Sequence, residues 1–250
     1  MHTKILVLDV PVDAISFEQA QNRILAWGRA HESRYVVLAN VHVVVMASRE
    51  ASFGQIVAAA DMAAPDGAPV AWMQRKLGAV AQTRVSGPDL MWSLMGCCAK
   101  EGMAVYFYGS TPQTLMALQQ RASAAFPGLQ IVGAESPPFR ALTEAEDAEA
   151  VTRINASGAG LVFVGLGCPK QEKWMLEHRG RIHAVMLGVG AAFDFHAGTV
   201  SRAPQWMREH GLEWLHRLAS EPRRLWRRYL VTNTLFVFSA VRQLLQGRTG

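Results

Sequence analysis

A chain of 250 residues, half of them hydrophobic, has the material for a sizeable core in one large α/β domain or two small ones. Charged residues make up 18% and the mean hydropathy lies just above zero, which excludes a disordered chain and a bundle of membrane spans. The net charge of +5 is unevenly spread: residues 1 to 201 carry 16 Lys+Arg against 17 Asp+Glu, whereas residues 202 to 250 carry nine Arg against three Glu, so the last fifth of the chain is suited to an anionic partner such as membrane phospholipid, a pyrophosphate or nucleic acid.

The N-terminus, MHTKILVLDVPVD, has one lysine, a very short apolar run and no small-residue cleavage site, so no secretory signal is expected. Short Val- and Ile-rich runs then alternate with segments of helical periodicity. In chain order these are a strand at Ile5–Val10, a helix at Phe17–Ala30, strands at Tyr35–Asn40 and Met62–Pro65, and a helix at Pro88–Lys100. A strand at Ala104–Gly109, a helix at Gln113–Ala125, a strand at Leu129–Gly133 and a helix at Glu144–Asn155 follow. A strand at Gly160–Gly165, a helix at Gln171–Arg179 and a strand at Ala184–Gly188 complete the series. This order predicts an α/β fold: a mostly parallel, Rossmann-like sheet with helices on both faces.

From Pro204 onward the pattern turns to helix without strand, through Trp206–His210, Leu212–Ser220 and Arg224–Leu245, with Pro222 between the last two. The expected division is a catalytic domain over 1–200 and a helical, arginine-rich appendage over 201–250. The most apolar run, Leu230 to Val241, is about a dozen residues long and is interrupted by Thr232, Asn233, Thr234 and Ser239, too short to span a bilayer. A cytoplasmic location is expected, and the odd cysteine count, Cys97, Cys98 and Cys168, suits a reducing compartment. The adjacent Cys97 and Cys98 read as core packing.

Ligands of open parallel sheets sit beyond the carboxyl ends of the strands. Five such ends carry polar or glycine-rich sequence, at Asn40–His42, Asp66-Gly67, Gly109–Thr111, Gly165–Glu172 and Gly188–Asp194, and on one sheet edge they would form a polar cleft. Gly109-Ser110-Thr111 opens a helix, where backbone N–H groups can receive a phosphate; an ordinary Ser/Thr cap is the alternative. Asp66 is either a turn residue or a carboxylate able to take a proton from an attacking hydroxyl. Asp194, between Phe193 and Phe195, needs specific donors from the protein or from a bound ribose or base. His42, His196 and His216 read singly as structural. Gly165-x-Gly167 and Gly188-x-Gly190 lack the third glycine of a dinucleotide fingerprint, which weighs against an oxidoreductase or methyltransferase. No CxxC, HExxH or Asp-x-Asp is present, so no metal site and no cofactor are expected, and arginines must offset any departing pyrophosphate.

Together these segments resemble the WecG/TagA/CpsF family of bacterial glycosyltransferases from about Tyr35 to Tyr229. The resemblance is carried by Gly188-Val-Gly-Ala-Ala-Phe-Asp194, Arg202-Ala203-Pro204-x-Trp206, Gly211-Leu-Glu-Trp-Leu215, Glu221-Pro222-x-Arg224-Leu225, Gly165-Leu-Gly-x-Pro169-Lys-Gln-Glu172 and the Asp61 to Gly67 segment. It implies an inverting, metal-independent transfer from a UDP-sugar to an undecaprenyl-diphosphate-linked sugar in polymer assembly. It further implies that Asp66 is the catalytic base, that Asn40 is a polar neighbour, and that Arg84, Gln171 and Asp194 contact the donor or line the catalytic pocket. Arg217, Arg224 and Arg227 or Arg228 would be tail arginines that complete the site. Two positions depart from the family pattern: Leu38 stands where Thr is usual, and Pro137-Pro138-Phe139 replaces Gly-Tyr-Phe. The Ala-Asn-Val-His sequence is closer to the exopolysaccharide branch than to the teichoic-acid branch.

The tail mixes its arginines with Trp214, Trp226, Leu215, Leu225 and Leu230, a composition of a membrane-surface helix rather than of one that reads nucleic acid. A helix over Arg224–Leu245 would set Leu225, Tyr229, Phe236 and Leu244 on an apolar side, with Arg224, Arg227 and Arg228 in its first turns. Arginines there oppose the helix dipole, so an anionic ligand or lipid phosphate is the expected reason for them. The protein is thus expected to be peripheral on the inner face of the plasma membrane, without a nucleic-acid partner.

Overall fold

The computed structural model describes residues 3–246, the side chain of Arg224 excepted, and begins with a hairpin of β1 (Lys4–Val7) and β2 (Val10–Asp13), paired antiparallel. The sequence reading takes Ile5–Val10 as one strand. Leu8 and Asp9 instead turn the chain, with φ of 52° and 65°, the left-handed pair that a two-residue hairpin requires. Left-handed backbone costs an L-residue roughly 1–2 kcal/mol. Two features offset it: Leu8 is buried, and the Gln243 carboxamide accepts the Leu8 N–H at 2.9 Å while donating to the Leu6 carbonyl at 2.7 Å.

From there the order is α1 (Phe17–Arg29), β3 (Arg34–Ala39), α2 (Val41–Arg49), α3 (Ala51–Ala58), β4 (Met62–Pro65), α4 (Ala68–Lys76), α5 (Gly87–Glu101), β5 (Val105–Gly109), α6 (Pro112–Ala125), β6 (Ile131–Glu135), α7 (Glu144–Ala156), β7 (Leu161–Gly165), α8 (Lys170–His178), β8 (Val185–Gly188), α9 (Ala192–Ala197), α10 (Gln205–Glu209), α11 (Glu213–Ser220) and α12 (Pro222–Gln246). Four helices, α2, α3, α4 and α9, lie where the sequence reading assigns none. The Val41–Arg49 run is rich in β-branched residues, yet it is helical because Asn40 leaves the strand and caps it, accepting the Val43 N–H at 3.1 Å. The expected strand at Leu129–Gly133 lies two residues later, at Ile131–Glu135.

Six strands form one mostly parallel sheet in the order β4-β3-β8-β7-β5-β6, the expected Rossmann-like α/β architecture. By its contacts the chain divides into two units: Met1–Phe17 with Leu38–Ser86 and Val200–Gly250, and Glu18–Val37 with Gly87–Thr199.

In the second unit, β5, β7 and β8 are buried along their length, save the half-buried Gly165 at the end of β7, and read VYFYG, LVFVG and VMLG, the near-continuous apolar runs of strands covered on both faces. Phe107 packs against Phe163 and Phe193, with ring centroids 6.0 and 5.7 Å apart. Each fully buried side chain of this size contributes about 1.5–3 kcal/mol relative to exposure. In the first unit, buried polar groups hold β2 in place: Asp13 accepts the Ala63 N–H at 2.7 Å, and Gln74 donates to the Val12 and Asp13 carbonyls, both at 3.1 Å. Burial pushes the Asp13 carboxyl above its ordinary pKa, against the opposing effects of the Ala63 hydrogen bond and of Lys4.

The first unit also holds the C-terminal helices. The inner face of α12 buries Leu225, Thr232, Phe236 and Ala240. Its outer face leaves Leu230, Val231, Val237, Phe238, Val241 and Leu245 between 52% and 69% exposed. At 100° per residue, these and the exposed Trp226 fall within an arc of about 140°. Among the described residues no helix is long and apolar enough to cross a membrane.

Candidate active site

Two backbone hydrogen bonds in the first unit join three separated segments. The Asp66 N–H, just beyond β4, donates to the Ala39 carbonyl at 3.2 Å, which sets Asp66 beside Asn40 at the end of β3. The Val85 N–H donates to the Pro65 carbonyl at 2.7 Å, which brings the Arg84–Ser86 segment to the same place. A carboxylate and a carboxamide are therefore carried on adjacent strand ends, with a guanidinium on the segment that leads into α5 held beside them. Gly67, with φ of +92°, turns the chain from Asp66 into α4.

The C-terminal helices of the same unit reach these residues. A Cβ on Gly211 would lie 2.8 Å from the Ala68 Cβ, so the turn between α10 and α11 presses on the start of α4. Glu213, the first residue of α11, accepts from Arg84 Nη1 at 3.2 Å with one oxygen and from Arg202 Nε at 3.4 Å with the other. Arg202 Nη2 also donates to Ser86 Oγ at 3.3 Å. His42, in the first turn of α2, has a buried Nδ1 with no hydrogen-bond partner in the protein. Burial, followed by the charge of Arg228, lowers its pKa from 6.5 to about 4, so the ring is neutral near pH 7. The Arg228 guanidinium lies 5.4 Å from the Tyr229 ring centroid. Arg217 pairs loosely with Glu221 at 3.8 Å, and Arg227 is exposed over the Trp226 ring. The Arg224 side chain lies outside the described residues.

In the second unit the strand order creates a switch point. From β5 the chain passes through α6 outward to β6, and from β7 it passes through α8 the other way to β8. With right-handed crossovers these helices lie on opposite faces, which opens a crevice beyond the ends of β5 and β7. Gly109 and Gly165 face each other there. Gly109 has φ of +117°, and a Cβ on it would lie 2.6 Å from the Gly165 carbonyl carbon. Ser110, at φ of +62°, donates its N–H to the Gly165 carbonyl at 3.1 Å and accepts from Ser136 Oγ at 2.7 Å. Thr111 is the side-chain cap of α6.

A cavity of about 500 Å³ opens beside this crevice, lined among others by Tyr108, Ser110, Leu166, Lys170, Lys173 and Trp174. Tyr108 stacks on Trp174 at 4.5 Å and Trp174 on His178 at 4.1 Å. Tyr108 Oη and Trp174 Nε1 are buried without a hydrogen-bond partner in the protein. Gln171 is buried and engaged within the protein: its Oε1 accepts the Gly167 N–H at 3.2 Å and its Nε2 donates to Glu172 at 2.9 Å. Burial raises the pKa of the Glu172 carboxyl above its ordinary value. Asp194 is half-buried in the first turn of α9.

The sequence profile described as "Glycosyl transferase WecG/TagA/CpsF family" matches residues 5–250. The chain belongs to this family. It is a glycosyltransferase. A relative in Bacillus spizizenii, named N-acetylglucosaminyldiphosphoundecaprenol N-acetyl-beta-D-mannosaminyltransferase, is 32% identical over 201 residues, which cover 80% of this chain and 76% of the relative.

Within this WecG/TagA/CpsF glycosyltransferase the residues singled out from sequence fall into two groups. Asn40, Asp66, Arg84, Arg217, Arg227 and Arg228 belong to the first unit, and Gly109, Ser110, Gln171 and Asp194 to the second. Leu38, one of the departures from the family pattern, is buried in β3, and Pro137, Pro138 and Phe139 line the cavity of the second unit. Sequence reasoning missed Arg202, Ser86 and Glu213. The signal was present in the Arg202-Ala-Pro and Gly211-Leu-Glu segments, but summing charge along the tail draws attention to its arginines and away from its few acids.

Proposed function

We propose that the enzyme transfers N-acetylmannosamine or a related sugar from a UDP donor to an undecaprenyl-diphosphate-linked N-acetylglucosamine, with inversion and without a metal ion, in cell-surface polysaccharide synthesis. The acceptor and the sugar follow the name of the Bacillus relative. The observation that carries the reading is the pair of backbone hydrogen bonds that sets Asp66 between Asn40 and the Arg84 segment in a member of this family. In the step, the acceptor hydroxyl oxygen bonds to the anomeric carbon as the bond from that carbon to the UDP oxygen breaks. Asp66 accepts the hydroxyl proton, and UDP leaves with the bonding electron pair. Asn40, whose side chain already accepts from Val43, orients the base side of the site. Arg84 and the tail arginines offset the charge that develops on the leaving diphosphate.

The nucleotide is assigned to the second unit. Support comes from the β5–β7 switch point, from a cavity of about 500 Å³, and from the two lysines on α8 that line it. Membrane attachment is assigned to the outer face of α12, where an exposed apolar arc meets Arg223 and Arg227 at its basic end. The test is a panel of UDP-sugars offered with synthetic lipid-diphosphate-linked N-acetylglucosamine, read by UDP release and by the product. UDP-N-acetylmannosamine is expected to support transfer, and absence of UDP release with every pair would overturn the proposal.

A further inference from the structure

We infer that Glu213 is a positioning residue which presents Arg84 and Arg202 to a diphosphate, so that the appendage acts on the reaction through a carboxylate as well as through its cations. The inference rests on the reading of Asp66 and Arg84 as active-site residues.

An acid in the first turn of a helix is favourable by itself, because it faces the positive end of the dipole. Glu213 does more than this. Its two oxygens are divided between two guanidiniums from different segments, one beside the Pro65–Asp66 strand end and one from the chain leading into α10. Two guanidiniums repel each other, and a carboxylate shared between them removes that repulsion and lets both face the same place. All three side chains are only 20–24% exposed, so the pairing is less screened than an ordinary surface ion pair.

The contacts are also loose. At 3.2 and 3.4 Å they exceed the range of about 2.7–2.9 Å typical of charge-assisted hydrogen bonds, which leaves room for a stronger oxyanion to draw the arginines in. Arg84 has five N–H donors, and its 3.2 Å contact with Glu213 uses one Nη1 hydrogen. A phosphate-sized anion can therefore bind without displacing Glu213. The chemistry named is a diphosphate, which both the nucleotide donor and the lipid acceptor carry.

The experiment is a double-mutant cycle with Glu213→Gln, Arg202→Gln and both together, in the full chain. Melting temperature, kcat and KM are measured, with inhibition by UDP and by farnesyl diphosphate, a soluble prenyl diphosphate. Glu213→Gln is expected to stay folded, to lose about tenfold in kcat, and to weaken inhibition by one of the two diphosphates by a similar factor. Weakened UDP inhibition identifies the donor's diphosphate, and weakened farnesyl diphosphate inhibition the acceptor's. Once Arg202 is already Gln, the second change should cost clearly less than it does alone, because the share of its effect that runs through Arg202 is already lost and only the share through Arg84 remains. Should Glu213→Gln not fold, Glu213→Asp, which keeps the charge and shortens the reach, takes its place in the same cycle with the same expectations. Wild-type kcat and inhibition in the single variant, or effects that multiply in the double variant, would overturn the inference. A wild-type enzyme that transfers no sugar and, by calorimetry, binds neither diphosphate would instead overturn the reading of the site on which it rests.

Discussion

Replacing Gly109 by Ala tests whether the crevice at the ends of β5 and β7 depends on the close approach of two backbones. The residue has φ of +117°, and an added Cβ would lie 2.6, 2.8 and 3.0 Å from the carbonyl carbon, oxygen and nitrogen of Gly165. Positive φ costs an L-residue roughly 1–2 kcal/mol. The atoms met are backbone, which cannot rotate away, so overpacking adds about 1–3 kcal/mol. Together, about 2–5 kcal/mol corresponds to a melting temperature lower by roughly 4–20 °C for a chain of this size. Gly158→Ala is the control, because φ is +69° there and nothing lies within 4 Å of the added Cβ. It carries the backbone cost alone. Because the two strand ends must part, Gly109→Ala should also weaken UDP binding by calorimetry, and Gly158→Ala should not. Equal melting temperatures for the two variants, or wild-type UDP affinity in Gly109→Ala, would refute the reasoning.

Replacing Leu230, Val237, Phe238 and Val241 together by Ser should leave the melting temperature within a few degrees and abolish retention on anionic vesicles, since these side chains already face outward; undiminished retention would remove the membrane role of α12. Truncation after Glu221 is the blunter test, because it also strips away the buried Leu225, Phe236 and Ala240 and is expected to destabilise the first unit. For His42, the folded value of about 4 lies below the ordinary 6.5, so between these values the unfolded chain takes up a proton that the folded chain refuses. Stability present in full above pH 6.5 is therefore lost as the pH falls toward 4, and His42→Gln should flatten that stretch of the melting-temperature profile; parallel profiles would count against it.

The strands were legible because β5, β7 and β8 are unbroken apolar runs, and the amphipathic helices because their periodicity survives in the sequence. The hairpin was not, since Leu8-Asp9 lacks the glycine or asparagine that marks a left-handed turn, and Gln243, which holds it, lies at the other end of the chain. Nor was α2, where valines that favour strands are overruled by the Asn40 cap and by burial of Val43, Val44 and Val45. At the site, the polar strand ends were visible one by one. What joins Asn40, Asp66 and Arg84 is two backbone hydrogen bonds, which no side-chain pattern encodes. Gln171 shows the converse: the motif that marks it is plain in the sequence, while the engagement of its amide with Gly167 and Glu172 is a matter of packing.

The central claim is that Asp66 takes the proton of the acceptor hydroxyl. Asp66→Asn keeps the shape of the side chain and removes its basicity, so UDP affinity by calorimetry should match the wild type. Transfer from UDP-N-acetylmannosamine to lipid-diphosphate-linked N-acetylglucosamine should fall by about a hundredfold or more. A variant that binds UDP normally and transfers sugar at the wild-type rate would contradict the account.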